Sequence, residues 1–155
     1  MAKTFAEMVA GVLPEIKEIL PWDLAEQLAK QPDLLVVDIR EPAEYAFGAI
    51  ANSLNVPRGI LETACDWGYD TTVPRLANAR EQTVVLVCRS GNRTAMAAYS
   101  LQLMGYQQVY SLKTGIRGWN DYEQPLINAL GEEVDIDELD VFLNPPIKSE
   151  QKKPN

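Results

Sequence analysis

Between Thr83 and Gly105 the chain reads TVVLVC-RSGNRT-AMAAYSLQLMG. Thr83 to Val87 is a continuous β-branched and apolar run of strand length, the composition of a strand buried on both faces of a sheet. Cys88 ends it. Arg89, Ser90, Gly91, Asn92 and Arg93 make a short polar loop, and Thr94 to Met104, rich in Ala, Leu and Met, predicts a helix stopped by Gly105. This order sets Cys88 against the N-terminus of a helix, whose first N–H groups lack intrahelical partners and carry partial positive charge. Such a place favours an anion, and the anionic form of cysteine, the thiolate, is the reactive one. Cys88 is therefore a candidate nucleophile, although most free cysteines are simply small buried hydrophobes. Arg89 and Arg93 strengthen the reading. No carboxylate lies between Cys88 and Thr94, so an incoming anion is the expected partner of both guanidinium groups.

Working outward, Leu34 to Val37 predicts a second buried strand, running into Asp38-Ile39-Arg40-Glu41-Pro42. Charged groups at the C-terminal end of a parallel strand lie on the side where α/β proteins place their sites. Leu54 to Val56 and Gln108 to Leu112 predict two more strands, and Arg58 to Cys65 a short helix between them. The loop Asp66 to Pro74 carries Trp67 and Tyr69, a rim over the Cys88 pocket or, more commonly for such residues, surface aromatics. Upstream, Phe5, Met8, Val9, Val12 and Ile16 recur at helical spacing, with Pro14 interrupting. The expectation is a helix from Lys3 to Leu13, an extended piece from Ile16 to Ile19, and a helix whose first turn holds Pro21. Strands alternating with helical patterns imply one α/β domain with a central, mainly parallel five-stranded sheet and helices on both faces.

Composition bounds the chemistry. The 155 residues are enough for one domain with a proper core, and 46% hydrophobic with 23% charged residues is ordinary for a globular protein. A net charge of −8 argues against nucleic acid and anionic membrane surfaces as partners, and no run approaches the ~20 apolar residues of a membrane span. There is no histidine, which removes Ser-His and Cys-His pairs and histidine zinc sites together. Two cysteines, Cys65 and Cys88, build no structural zinc site either, so neither a metal nor a cofactor is expected. Activation of Cys88 falls to backbone dipoles and arginines. A free-thiol catalyst suits a reducing compartment, so the cytoplasm is expected and Cys65 reads as a core residue.

The Cys88 loop resembles the active-site loop of the rhodanese family, sulfurtransferases that carry sulfur as a cysteine persulfide. Here it reads CRSGNR, with four residues between cysteine and arginine. Phosphatases that resemble it have one residue more, and in this chain the longer spacing falls on Thr94. The Asp38-Ile39-Arg40-Glu41 segment, Gly48 to Pro57 with Ala49 where the family commonly has histidine, and the Gly115 to Trp119 turn are similar to family segments as well. The likeness spans Ile16 to Tyr122.

The resemblance implies that Cys88 takes the outer sulfur of thiosulfate or a persulfide donor and passes it to a thiol, protein thiols included, or a cyanide-type acceptor. Arg89 and Arg93 would bind the small anionic donor, and the N–H groups of Ser90, Gly91, Asn92, Arg93 and Thr94 would hold the persulfide. Asp38, Arg40 and Glu41 would be supporting residues, with Asp38 or Glu41 holding a loop arginine or pinning the loop's backbone. The alternatives are a phosphatase or arsenate reductase using the same thiolate, and a rhodanese-like binding or sulfur-carrier module. Residues 1–15 read as a helical extension, 16–125 as the domain and 126–155 as an acidic tail. Six acids between Glu132 and Asp140 predict a solvated run; the interleaved Val134, Ile136, Leu139 and Phe142 point to docking on the domain or on a partner. Asn144 to Asn155 is expected to be disordered.

Overall fold

The computed structural model describes residues 1–155. Five strands, β1 (Lys17–Ile19), β2 (Leu35–Asp38), β3 (Leu54–Asn55), β4 (Thr83–Val87) and β5 (Gln108–Leu112), form one sheet in the order β1-β5-β4-β2-β3. Every neighbouring pair is parallel. β4 is the central strand, which is why Thr83–Val87 is apolar without alternation. The chain leaves β2 toward β3 and β4 toward β5, in opposite directions across the sheet. Parallel sheets open a crevice at such a switch point, above the C-terminal ends of the two strands. Asp38 and Cys88 stand at those ends.

The helices are α1 (Phe5–Val12), α2 (Pro21–Lys30), α3 (Pro42–Phe47), α4 (Leu61–Ala64), α5 (Pro74–Ala77), α6 (Asn92–Leu103), α7 (Gly115–Asp121) and α8 (Ile136–Leu143). Alternation along the central strand divides the core in two. Val84, Leu86 and Cys88 face one side, packed with Leu61 and Ala64 of α4, Leu76 of α5 and Ala97, Ala98 and Leu101 of α6. Val85 and Val87 face the other, packed with Leu24 of α2, Ile116 and Trp119 of α7, and Leu139 and Leu143 of α8. Each wholly buried leucine adds about 1.5–3 kcal/mol. No helix is long and apolar enough to cross a membrane.

The N-terminal helix is shorter than its apolar pattern. Thr4 and Glu7 cap it reciprocally, through Glu7 N–H to Thr4 Oγ1 and Thr4 N–H to Glu7 Oε2. Pro14 then tightens Leu13–Glu15 into a 3-10 turn before β1. At the other end, the acidic run turns out to contain a helix start. Asp135 caps α8 by accepting from the N–H groups of Asp137 and Glu138, and those two acids sit in the first turn, where the helix dipole favours negative charge. Leu139 and Leu143 point inward and are buried, so the segment docks on its own domain. The last twelve residues, expected to be disordered, hold one 3-10 turn at Ser149–Gln151 and no other regular element.

Candidate active site

Cys88 follows β4 directly, and its side chain is wholly buried on the α6 side of the sheet. Its sulfur accepts from the Gly91 N–H at 3.2 Å and stands 3.5 Å from Thr94 Oγ1. Of the N–H groups from Ser90 to Thr94, Gly91's is the one that reaches the sulfur. That contact requires a left-handed turn at residue 91, with φ +88°, and an added Cβ there would lie 2.9 Å from Leu112 O. Only glycine adopts this without strain. α6 then starts at Asn92 with no side-chain cap, leaving its first N–H groups free for an anion. Thr94 Oγ1 lies 2.7 Å from Ser111 Oγ, and Ser111 donates to Gly91 O at 3.5 Å. A buried chain of hydroxyls therefore runs from β5 to the cysteine. Its short range makes Thr94 and Ser111 part of the sulfur's surroundings.

The start of the loop is fixed through its backbone. Cys88 O accepts from Ile116 N–H at 2.8 Å and Arg89 O from Arg117 N–H at 3.0 Å, so the N-terminus of α7 holds both carbonyls. Thr114 (φ +68°) and Gly115 (φ +63°) turn the chain into position. A Cβ at Gly115 would come within 2.5 Å of Cys88 O, so the glycine of the turn is there to let two backbones touch.

The end of the loop is fixed through a side chain. Arg93 grips Glu44 of α3 with both arms, Nη1 to Oε2 at 3.0 Å and Nη2 to Oε1 at 2.9 Å, in a partly buried position. Those hydrogen bonds raise the Arg93 pKa above its ordinary value. Burial pushes the Glu44 carboxyl up, but the bonds from Arg93 and the Glu41 N–H and the charges of Arg93 and Arg40 outweigh it, leaving its pKa below the ordinary 4.5. The partner of Arg93 here is thus Glu44, where the sequence alone pointed to an incoming anion.

Asp38 and Glu41 do not hold a loop arginine either. Asp38 is saturated by Arg40, accepting from Nε at 3.0 and 3.1 Å, from Nη2 at 2.7 Å and from the Arg40 N–H at 3.1 Å, with both side chains wholly buried. In extended chain, residues two apart share a side, so the local partner wins over the loop. Arg40 Nη2 also donates to Gly48 O, and Asn55 Nδ2 to the carbonyls of Asp38 and Arg40, which makes this pair a brace under the crevice. Glu41 contributes its N–H to Glu44 Oε2 and so helps orient the carboxylate that grips Arg93.

Arg89 differs from both. It enters no ion pair, its buried Nε has no hydrogen-bond partner, and its side chain borders a cleft of about 470 Å³ shared with Pro145, Pro146, Ile147, Lys148 and Gln151. Ser90 and Asn92 face outward, joined by Asn92 Nδ2 to Ser90 Oγ at 3.3 Å. Cys65 is a buried free thiol in the core under α4, its pKa raised by burial. Trp67 and Tyr69 are half-exposed on the loop after α4, which is tied down by Thr71 to Thr63 and by Arg80 beside Asp66. No group of three or more histidine, cysteine or carboxylate side chains is placed to hold a metal ion.

Glu44 and Ser111 are the residues around the loop that sequence reasoning missed, and it did not foresee the tail residues that share a cleft with Arg89. Glu44 lies three residues beyond the segment it singled out, and Ser111 is the one small polar residue in a strand otherwise ending on buried apolar positions.

Comparison with known proteins agrees with this fold. The model of the rhodanese-like domain matches residues 21–122. A sulfurtransferase of Allochromatium vinosum is 33% identical over 116 residues, which are 75% of this chain and 99% of that protein. Among solved structures, a Rhodopseudomonas palustris protein of unknown function, described as a possible tyrosine phosphatase, is 29% identical with a TM-score of 0.72, over 81% of this chain and 96% of its own. The polysulfide-sulfur transferase homodimer of Wolinella succinogenes is 26% identical with a TM-score of 0.60, over 80% and 87% respectively. The parallel sheet, the cysteine at the end of its central strand and the matched length lead to one conclusion: this chain belongs to the rhodanese-like domain family.

Proposed function

We propose that the protein is a sulfurtransferase that moves a sulfane sulfur from thiosulfate or a persulfide donor to a thiol or cyanide-type acceptor, with Cys88 as carrier. The observation that carries the reading is the sulfur of Cys88 facing the uncapped start of α6, with a donor from Gly91 on it, in a chain without histidine. In the first half-reaction the Cys88 thiolate attacks the outer sulfur of thiosulfate. The sulfur–sulfur bond of the donor breaks, its electron pair leaves with sulfite, and a Cys88 persulfide anion remains. An acceptor anion then attacks the outer sulfur of that persulfide and regenerates the thiolate. Both steps conserve charge and neither needs an oxidant.

Each neighbour has a part in this scheme. The Gly91 N–H and the α6 N-terminus meet the negative sulfur, as an oxyanion site meets oxygen. With Cys88 ionised, Thr94 donates its one hydroxyl proton to the sulfur and Ser111 turns its own from Gly91 O to Thr94 Oγ1, so the hydroxyl chain supports the anion. Arg89 meets the charge on the donor and on departing sulfite. Arg93, held by Glu44, keeps the loop in shape.

The phosphatase reading is weaker. The residue at the phosphatase spacing is Thr94, whose side chain is wholly buried and bonded to Ser111, and the arginine one step earlier is committed to Glu44. Phosphoryl transfer depends on donors reaching all the outer oxygens as charge develops.

Intact-mass measurement after incubation with thiosulfate tests the proposal. The wild type gains one sulfur atom and loses it on adding cyanide, Cys88→Ser gains none, and Cys65→Ala behaves as wild type. A Cys88-independent gain, or no gain from thiosulfate or an organic persulfide, overturns it, and Cys88-dependent hydrolysis of an aryl phosphate puts the phosphatase in its place.

A further inference from the structure

The matched domain ends at residue 122, yet the chain beyond it packs against α3 and α7 and reaches the cleft beside Arg89. Leu126, Leu139 and Leu143 are wholly buried in the core beneath α7. Ile127 bridges Ala49, Phe142 stacks on Phe47 with ring centres 3.9 Å apart, and the Leu139 side chain fills the space where Gly48 lacks a Cβ. Two donors of α7 fix the helix ends, Asn120 Nδ2 to Ile136 O at 3.2 Å and Arg117 Nη2 to Leu143 O at 3.1 Å. Arg117 is also the residue whose N–H holds Arg89 O, so one residue ties the tail and the Cys88 loop together.

From this anchor the chain runs on to line the same cleft as Arg89. Pro145 and Pro146 are stiff, which limits where residue 148 goes, and the Ser149–Gln151 turn fixes it further through Lys148 N–H to Gln151 Oε1 at 2.8 Å. The cleft between Arg89 and residues 145–151 then carries two cations, Arg89 and Lys148, neither in an ion pair, in a chain with 22 acids. No carboxylate borders it. With Arg93 committed to Glu44, the loop itself offers one free guanidinium. Thiosulfate carries two negative charges.

We propose that residues 145–151 are the outer wall of the substrate site and that Lys148, which shares the cleft with Arg89, binds the second negative charge of an anionic sulfur donor. The inference rests on the sulfurtransferase reading and gives it a substrate class, dianionic donors in preference to uncharged polysulfides. Lys148 is a substrate-binding residue and takes no part in the transfer of sulfur.

The test uses the full chain. Lys148→Ala should raise the KM for thiosulfate about three- to tenfold with kcat nearly unchanged, and Lys148→Arg should restore it, as one tenfold step is about 1.4 kcal/mol of binding. Lys153→Ala, the same charge change outside the cleft, should leave KM alone, and an uncharged organic trisulfide should be used equally well by all three. Removal of residues 145–155, which spares α8, should act like Lys148→Ala. Calorimetric binding of thiosulfate to Cys88→Ser, with and without Lys148→Ala, reads the same contact without turnover. Sulfur uptake with equal KM values for Lys148→Ala and Lys153→Ala overturns the wall. Lys148-dependent binding to Cys88→Ser with no uptake by the wild type leaves the wall standing and overturns the sulfurtransferase. Loss of neither binding nor turnover on removing residues 145–155 overturns the proposal as well.

Discussion

The two ends of the Cys88–Arg93 loop are held by different kinds of bond. At the first end, α7 binds the carbonyls of Cys88 and Arg89 through its N–H groups, and the Arg89 side chain is left free. At the last end, the backbone runs on into α6 and the Arg93 side chain is clamped by Glu44. Two arginines that look equivalent in the sequence therefore divide the work, one available to a ligand and one spent on shape. Main-chain anchorage is what makes that division workable, because it fixes a residue without using up its side chain.

Breaking the main-chain anchor should have the largest effect. Gly115→Ala puts a Cβ within 2.6 Å of Arg89 O and places alanine at φ +63°. Relief requires α7 to withdraw from the loop. Left-handed strain and a backbone overlap together cost about 3 kcal/mol or more, and thermal or denaturant unfolding should show it alongside loss of sulfur transfer. A change below about 1 kcal/mol would mean that the α7 contact contributes little to holding the loop.

The side-chain anchor should matter less for stability and separate the two arginines. A double-mutant cycle between Glu44→Gln and Arg93→Met should return a coupling of about 1–2 kcal/mol, since the pair is bidentate and partly buried. Arg89→Ala, by contrast, should change stability by about 0.5 kcal/mol or less while raising the KM for thiosulfate. If Arg89→Ala destabilised as much as Arg93→Met, or Arg93→Met affected only KM, the division between the two ends would be wrong.

The parts legible in the sequence are those that neighbouring residues decide. An unbroken apolar run gives the central strand, Gly91 and the following alanines give the turn into α6, and the cysteine between them needs no distant residue to be placed. The strands of the sheet follow for the same reason, with boundaries shifted by a residue or two. Partnerships across the fold are not legible in this way. Arg93 and Glu44 are 49 residues apart, and nothing local distinguishes Glu44 from Glu41, the more conspicuous acid beside Arg40. The expectation that Asp38 or Glu41 holds the loop overlooks Arg40, which lies two residues from Asp38 and takes up both of its carboxylate oxygens. The tail hides for another reason. Asp135 as a cap, followed by Leu139 and Leu143 at helical spacing, is a readable helix signal, but six acids make the segment look solvated until the dipole at its N-terminus explains why they are there.

The smallest expected effect concerns pH, and it separates the two ends because only one of them titrates. The main-chain bonds from α7 to Cys88 and Arg89 carry no ionisable group. Glu44, whose folded pKa lies below its ordinary 4.5, does. A depressed carboxylate contributes stability that is fully present above the unfolded value and disappears as pH falls through the folded one. The advantage of the wild type over Glu44→Gln should therefore be constant at neutral pH and begin to shrink near pH 4.5. Below the folded pKa the two proteins should converge, since both then present a neutral side chain to Arg93. Denaturant unfolding of both proteins across that range reads the difference directly, and the other carboxylates cancel because both proteins carry them. Gly115→Ala should show no such convergence in this range. A wild-type advantage that persisted unchanged to low pH would mean that Glu44 holds the loop by hydrogen-bond geometry alone, and that the last end is no more ionic than the first.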